Sequence, residues 1–127
     1  YYSLDPARKE IRLLEIITTK PKIVCKLQAV SLLETPAYSA LSYVWGDASR
    51  TERIVVNGKS ITITVSLARA IRSVHHYWKT TEISPRHQNL WADALSLNQG
   101  NAQEKNHQIP LMRMIFKNAA SVTVCLG

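Results

Sequence analysis

The chain has 127 residues, 46% of them apolar and 20% charged, with three Trp, five Tyr and one Phe, which suits one domain with a real core and excludes wholesale disorder. Lys and Arg number 16 against 9 Asp and Glu, a formal charge of +7. No apolar run approaches the roughly 20 residues that span a bilayer, and no charged start followed by an apolar stretch reads as a signal peptide.

The chain starts at Tyr1 without a methionine and stops at Gly127, so it reads as a single domain, 1–127, trimmed from a larger protein. Cys25 and Cys125 are too few for a disulfide framework and read as small buried residues in a reducing compartment. His75, His76, His87 and His107 show no metal spacing, and no metal site is expected. The positive excess is spread along the chain: residues 1–26 carry six bases and three acids, 27–67 three of each, and 68–127 seven and three. Without a basic run or interleaved aromatics, this excess reads as a solvated surface and not as a nucleic-acid interface.

In chain order, Ile11–Ile17 (IRLLEII) leans to strand, and Pro21 breaks the run that follows. Residues Ile23 to Leu33 alternate loosely, so the two segments form an antiparallel pair. Ser39–Trp45 is apolar on both faces, as a central strand is, and ends at Gly46-Asp47. Asn57-Gly58 between β-branched runs marks a tight hairpin, because both turn positions need a positive φ. Leu67, Ile71, Val74 and Trp78 form one helical stripe, capped by Thr64 or Ser66 and fading near Thr80-Thr81. Asn89–Leu95 reads as a second buried strand. Ala102–Ala119 reads as a helix that Pro110 must kink or restart, since proline lacks an N–H and crowds the preceding turn. Ser121–Leu126 reads as a third buried strand.

Buried strands alternating with helices imply an α/β fold with a parallel central sheet, to which the Asn57-Gly58 hairpin and the N-terminal antiparallel strands are additions. Ligands of such sheets bind beyond the carboxyl ends of the strands. Those ends are Trp45-Gly46-Asp47, Asp93 to Gln99, and Leu126-Gly127.

Several blocks carry a family likeness. Tyr38 to Asp47 (YSALSYVWGD) resembles the opening block of the fungal heterokaryon-incompatibility (HET) domain. The Asn57-Gly58 hairpin with Ser66 to Ile71 (SLARAI) resembles its next block. Trp91 to Gln99 (WADALSLNQ) is similar to the family's Trp-Ile-Asp-Ala-Ile-Cys-Ile-Asn-Gln, and Glu104-Lys105, Gln108, Met112, Ile115-Phe116 and Ala119 are similar to the helix that follows it. Val122 to Gly127 resembles the closing strand, and Ile11 to Leu14 is similar to what such proteins carry upstream. The chain departs from the pattern at Ala92, where the family has a bulky aliphatic. It departs at Ser96, where a cysteine is common, so no cysteine nucleophile can act there. It departs again at Lys105, which loses the bidentate geometry of arginine.

The resemblance implies an intracellular, cytoplasmic fungal protein of non-self recognition whose domain triggers cell death, working by self-association and with regulatory protein partners. The family has been likened to TIR domains, which share a flavodoxin-like sheet and include NAD-cleaving enzymes. By that analogy a second function is open: cleavage of a nucleotide, NAD first, with no bound cofactor. Glu104 and Asp93 are then the candidate catalytic carboxylates, with Trp45, Gly46, Asp47, Trp91, Asn98, Gln99 and Gln108 as candidate ligand contacts.

Each candidate also has a structural role open to it. Asn101 to Glu104 has the spacing of a capping box. Asp93 suits a polar network with Asn98, Gln99 or a base, because an unpaired buried carboxylate is costly. Asp47 suits a turn cap, Trp45 and Trp91 suit the core, and Asn98 and Gln99 suit a brace within their loop. Gln108 lies one turn beyond Glu104 and can share its face.

Overall fold

The computed structural model describes residues 3–43, 46–82 and 88–125, with residues 124 and 125 described by backbone only. Among the described residues, seven strands form one sheet: β1 (Glu10–Thr18), β2 (Val24–Ser31), β3 (Ser39–Tyr43), β4 (Thr51–Val56), β5 (Lys59–Thr64), β6 (Asn89–Trp91) and β7 (Ser121–Cys125). Their order across the sheet is β5-β4-β2-β1-β6-β3-β7. The helices are α1 (Val65–Thr80), α2 (Asp93–Ser96), α3 (Ala102–Gln108) and α4 (Met112–Asn118).

The α/β class is as expected, but the sheet is mixed and not a purely parallel one. Parallel pairing is confined to β6-β3-β7 and a short contact of β2 with β4, whereas β1 runs antiparallel to both β2 and β6. The N-terminal hairpin is no marginal addition, because β1 sits at the centre of the sheet. The reason lies in its composition. Ile11 and Leu13 are buried toward one face, Leu14 and Ile16 toward the other, and successive strand residues point to opposite faces. A strand apolar on both sides needs neighbours and helices on both sides.

Two cores result, one per face. Toward α1, Leu14, Cys25, Leu41, Ile54 and Leu90 meet Leu67, Ile71, Val74 and Trp78, the whole predicted stripe. Toward α3 and α4, Ile11, Leu13, Tyr38 and Trp91 meet Leu97 and Ile115. The Cys25 thiol lies in the first core, and burial pushes its pKa up to about 12.

Local signals place most elements. Asn57 and Gly58 have φ of 52° and 78°, the mirror-image turn that a right-twisted hairpin requires. Thr64 caps α1, its hydroxyl accepting the Leu67 N–H. Pro110 falls in a 3-10 turn over Ile109–Leu111 that separates α3 from α4, as expected of a residue that cannot donate to the preceding turn.

Other boundaries move. The second segment ends at Ser31, whose hydroxyl caps a 3-10 turn over Leu32–Glu34. The predicted strand Asn89–Leu95 stops at Trp91, and Asp93–Ser96 are helical. There Ser96 Oγ accepts the Ala92 N–H at 3.0 Å while Ala92 O accepts the Leu95 and Ser96 N–H groups, so a short apolar run turns instead of extending. The strand ends predicted at Trp45 and at Leu126-Gly127 lie outside the described residues.

Candidate functional site

Strands β3 and β6 are parallel neighbours, pairing Ser39 with Leu90 and Ala40 with Trp91. Their carboxyl ends therefore lie on the same edge of the sheet. Tyr43 is the last residue of β3, and Asp93 follows β6 by two residues as the first of α2. Burial raises the pKa of Asp93, and the Ala94 N–H partly offsets it. Burial, and then the charge of Asp93, push Tyr43 up to about 12. A half-buried carboxylate held toward its neutral form beside a phenol is the kind of group that can move a proton. Gln99 belongs to the same corner, its side chain donating to Asp93 O at 3.0 Å.

The sign of the Asp93 shift makes a prediction. A raised carboxyl pKa adds stability below the unfolded value and loses it as pH climbs through the folded value. Asp93→Asn is therefore expected to raise Tm at pH 7 and leave it nearly unchanged at pH 3. Thermal melts at the two pH values check this, and a drop in Tm at pH 7 would show that Asp93 is paired and not merely desolvated.

Glu104 belongs to a different cluster. It is 3% exposed, and Arg12, 4% exposed, grips it with two bonds of 2.6 Å, one to each carboxylate oxygen. Oε2 also accepts the Asn98 N–H at 2.6 Å, and Arg12 reaches Ser96 O at 3.2 Å. Burial acts to raise the Glu104 pKa, but the bonds from Arg12 and Asn98 and the charges of Arg12 and His107 outweigh it and hold the carboxyl below its usual range. Half of the capping box forms: Asn101 Oδ1 accepts the Glu104 N–H at 3.0 Å, and Asn101 N–H goes to Asn98 O. The Glu104 carboxylate does not return to the cap, because Arg12 and Asn98 hold it. Chemically this is an ionic clamp joining the central strand β1 to the loop after α2 and the first turn of α3.

The remaining candidates divide. Asn98 also accepts the Gly100 N–H on its side chain, bracing the same loop. Gln108 is fully buried and donates to Glu10 O at 2.8 Å, a second tie from α3 to β1. Trp91 is 1% exposed and meets Phe116 edge-on, centroids 5.5 Å apart, inside the α4-side core. Asp47 is fully exposed and accepts the Ser49 N–H at 2.9 Å and the Ser49 hydroxyl at 2.6 Å; those bonds, the hydroxyl first, lower its pKa. Gly46 has φ of +66°, and a Cβ there would press into Ser66 Oγ. Gly46→Ala is expected to cost about 1–2 kcal/mol from the backbone alone, with the displaced Ser66 adding to it; urea denaturation measures this. Trp45 lies outside the described residues.

The structure thus brings Asp93, Tyr43 and Gln99 together, and separately Glu104, Asn98 and Gln108. Arg12 escaped the sequence reading. Its signal was a lone base inside the apolar run IRLLEII, since a charge in a central strand needs a buried partner.

A mixed sheet with helices on both faces and an ionic clamp tying its central strand to α3 defines an α/β domain. Its sequence places it in a family. The family model described as Heterokaryon incompatibility protein (HET) matches residues 38–127. The chain is also 35% identical over 136 residues to Heterokaryon incompatibility protein 6, OR allele, of Neurospora crassa, an alignment covering 97% of this chain and 19% of that protein. The chain belongs to the HET family. It spans about a fifth of the length of that relative. No solved structure matches the chain. Among the described residues, no helix is long and apolar enough to cross a membrane.

Proposed function

We propose that this chain is the effector domain of a fungal incompatibility protein, which acts inside the cell in non-self recognition and triggers cell death by self-association with other copies. The observation that carries this reading is the alignment of nearly the whole chain with a protein named for heterokaryon incompatibility. The structure adds a physical argument for assembly over catalysis at Glu104: that carboxylate is spent within the fold. Outer surfaces remain for contact, including the edge strands β5 and β7 and the exposed Ile17, Tyr77 and Val122.

The test is expression of the full parent protein in a fungal host, wild type and Val122→Lys, with light scattering of the purified proteins. Killing that falls together with oligomer mass supports the reading. Undiminished killing by a protein that stays monomeric ends it.

Asp93 favours a second reading. Its raised pKa and its place at the strand ends support cleavage of a nucleotide such as NAD beside Tyr43. Nicotinamide release by the oligomeric protein, abolished in Asp93→Asn while Tm holds, would support it. NAD left intact by that oligomer would remove it.

A further inference from the structure

The face of the sheet under α1 is only partly covered. The α1 helix rests on β3, β4 and β5. The pairing of β4 with β2 stops at Cys25 and Val56, where the Asn57-Gly58 turn sends the chain back, while β2 continues to Ser31. A cavity of about 580 Å³ fills the corner, lined by Arg12, Leu27, Ala29, Val56, Asn57, Lys59 and Ile61 among others. That volume lies within the roughly 300–1,000 Å³ of small-molecule sites.

Register shows that these residues share one face. Arg12 pairs with Ala29, Leu14 with Leu27, Cys25 with Val56, Val56 with Lys59, and Ile54 with Ile61. Leu27, Val56 and Ile61 make an apolar floor continuous with the α1-side core. Asn57 Oδ1 accepts the Leu27 N–H at 2.9 Å and holds the corner open in a fixed shape. By strand alternation the backbone groups of Ala29 face the same side as the Leu27 N–H. The charges in the lining are of one sign. Lys59 stands exposed on the rim, in no ion pair among the described residues, and Arg12 closes the inner end, backed by Glu104. Among the described residues, no acid lines the cavity.

We propose that this corner is a binding site for a small organic anion with an apolar body, its acid group at Lys59 and its body over Leu27, Val56 and Ile61. The proposal stands apart from the incompatibility reading and from the residues at the strand ends. An apolar site beside an exposed cation selects an amphiphilic acid over a neutral molecule of the same shape.

The probe is anilinonaphthalene sulfonate, titrated into the 127-residue chain by fluorescence, with amide shifts followed by NMR. Saturable one-site binding is expected, with shifts centred on Leu27, Ala29 and Asn57. Decanoate should displace the probe and decanol should not. Lys59→Glu is expected to weaken binding roughly tenfold, about 1.4 kcal/mol, and Ile61→Glu to abolish it. Lys79→Glu, at the far end of α1, should leave binding unchanged. Matched melting curves show that Lys59→Glu and Lys79→Glu remain folded. Binding without saturation, shifts centred elsewhere, displacement by decanol as readily as by decanoate, or equal weakening by Lys79→Glu overturns the proposal.

Discussion

A chain reduced to residues 38–127, the span matched by the family model, is expected not to fold. The reduction removes β1 and β2. Strand β4 pairs with β2 and β5, while β6 pairs with β1 and β3. Without the N-terminal hairpin, β4–β5 loses all strand contact with β6-β3-β7, and the sheet falls into two pieces. The loss in burial is decisive by itself. Ile11, Leu13, Leu14, Ile16, Ile23 and Cys25 are each at most 7% exposed. At roughly 1.5–3 kcal/mol for a large apolar side chain, their sum is on the order of 10 kcal/mol. The whole stability of a domain is about 5–15 kcal/mol. Leu90 and Trp91, packed on β1 from both faces, would be uncovered as well. The measurement is a comparison of 1–127 with 38–127 by circular dichroism and amide NMR. A dispersed spectrum from the shorter chain would show that β1–β2 is an accessory hairpin, as its sequence position suggests, and not the middle of the sheet.

That misplacement shows what a sequence yields and what it withholds. Features fixed by neighbouring residues were legible. The Asn57-Gly58 turn is set by the positive φ of two adjacent positions, and α1 by a stripe repeating within one helix. Pro110 interrupts its helix for a reason internal to proline. Features fixed by distant residues were not. The position of β1 depends on which strands pair with it, and its partner β6 lies 76 positions away in register, Leu14 against Leu90. Asp93–Ser96 misled for a different reason. The short stretch Asn89–Leu95 (NLWADAL) fits strand or helix equally well, and the Ser96 hydroxyl accepts the Ala92 N–H where the chain turns. At the site, topology placed Asp93, two residues beyond β6, and Glu104 in one group. It could not tell the half-buried Asp93 from the saturated Glu104, because that distinction depends on Arg12, 92 residues away from its partner.

Arg12→Ala and Glu104→Ala are each expected to destabilise the protein by about 3–5 kcal/mol, enough to threaten folding at 37 °C. The cost arises from the partner left behind. Arg12→Ala leaves a carboxylate that is 3% exposed with the Asn98 N–H but without its guanidinium, and Glu104→Ala leaves a guanidinium that is 4% exposed without its carboxylate. The pair itself contributes less than either loss, since moving two charges from water offsets much of their attraction. The double variant Arg12→Met with Glu104→Leu is therefore expected to be more stable than either alanine variant, and urea denaturation of Arg12→Met, Glu104→Leu and their combination closes the double-mutant cycle that measures the coupling. The pH dependence separates this from simple loss of packing. Glu104 has a folded pKa below its usual value, so its contribution is present above the unfolded carboxyl pKa and disappears as pH falls through the folded one. Wild-type protein should lose this stability on acidification, and the double variant should show a flatter acid limb. Asp93, shifted in the opposite direction, remains in both proteins and cancels in the comparison. Identical acid limbs in wild type and double variant would mean that Glu104 is not the ionised partner of Arg12.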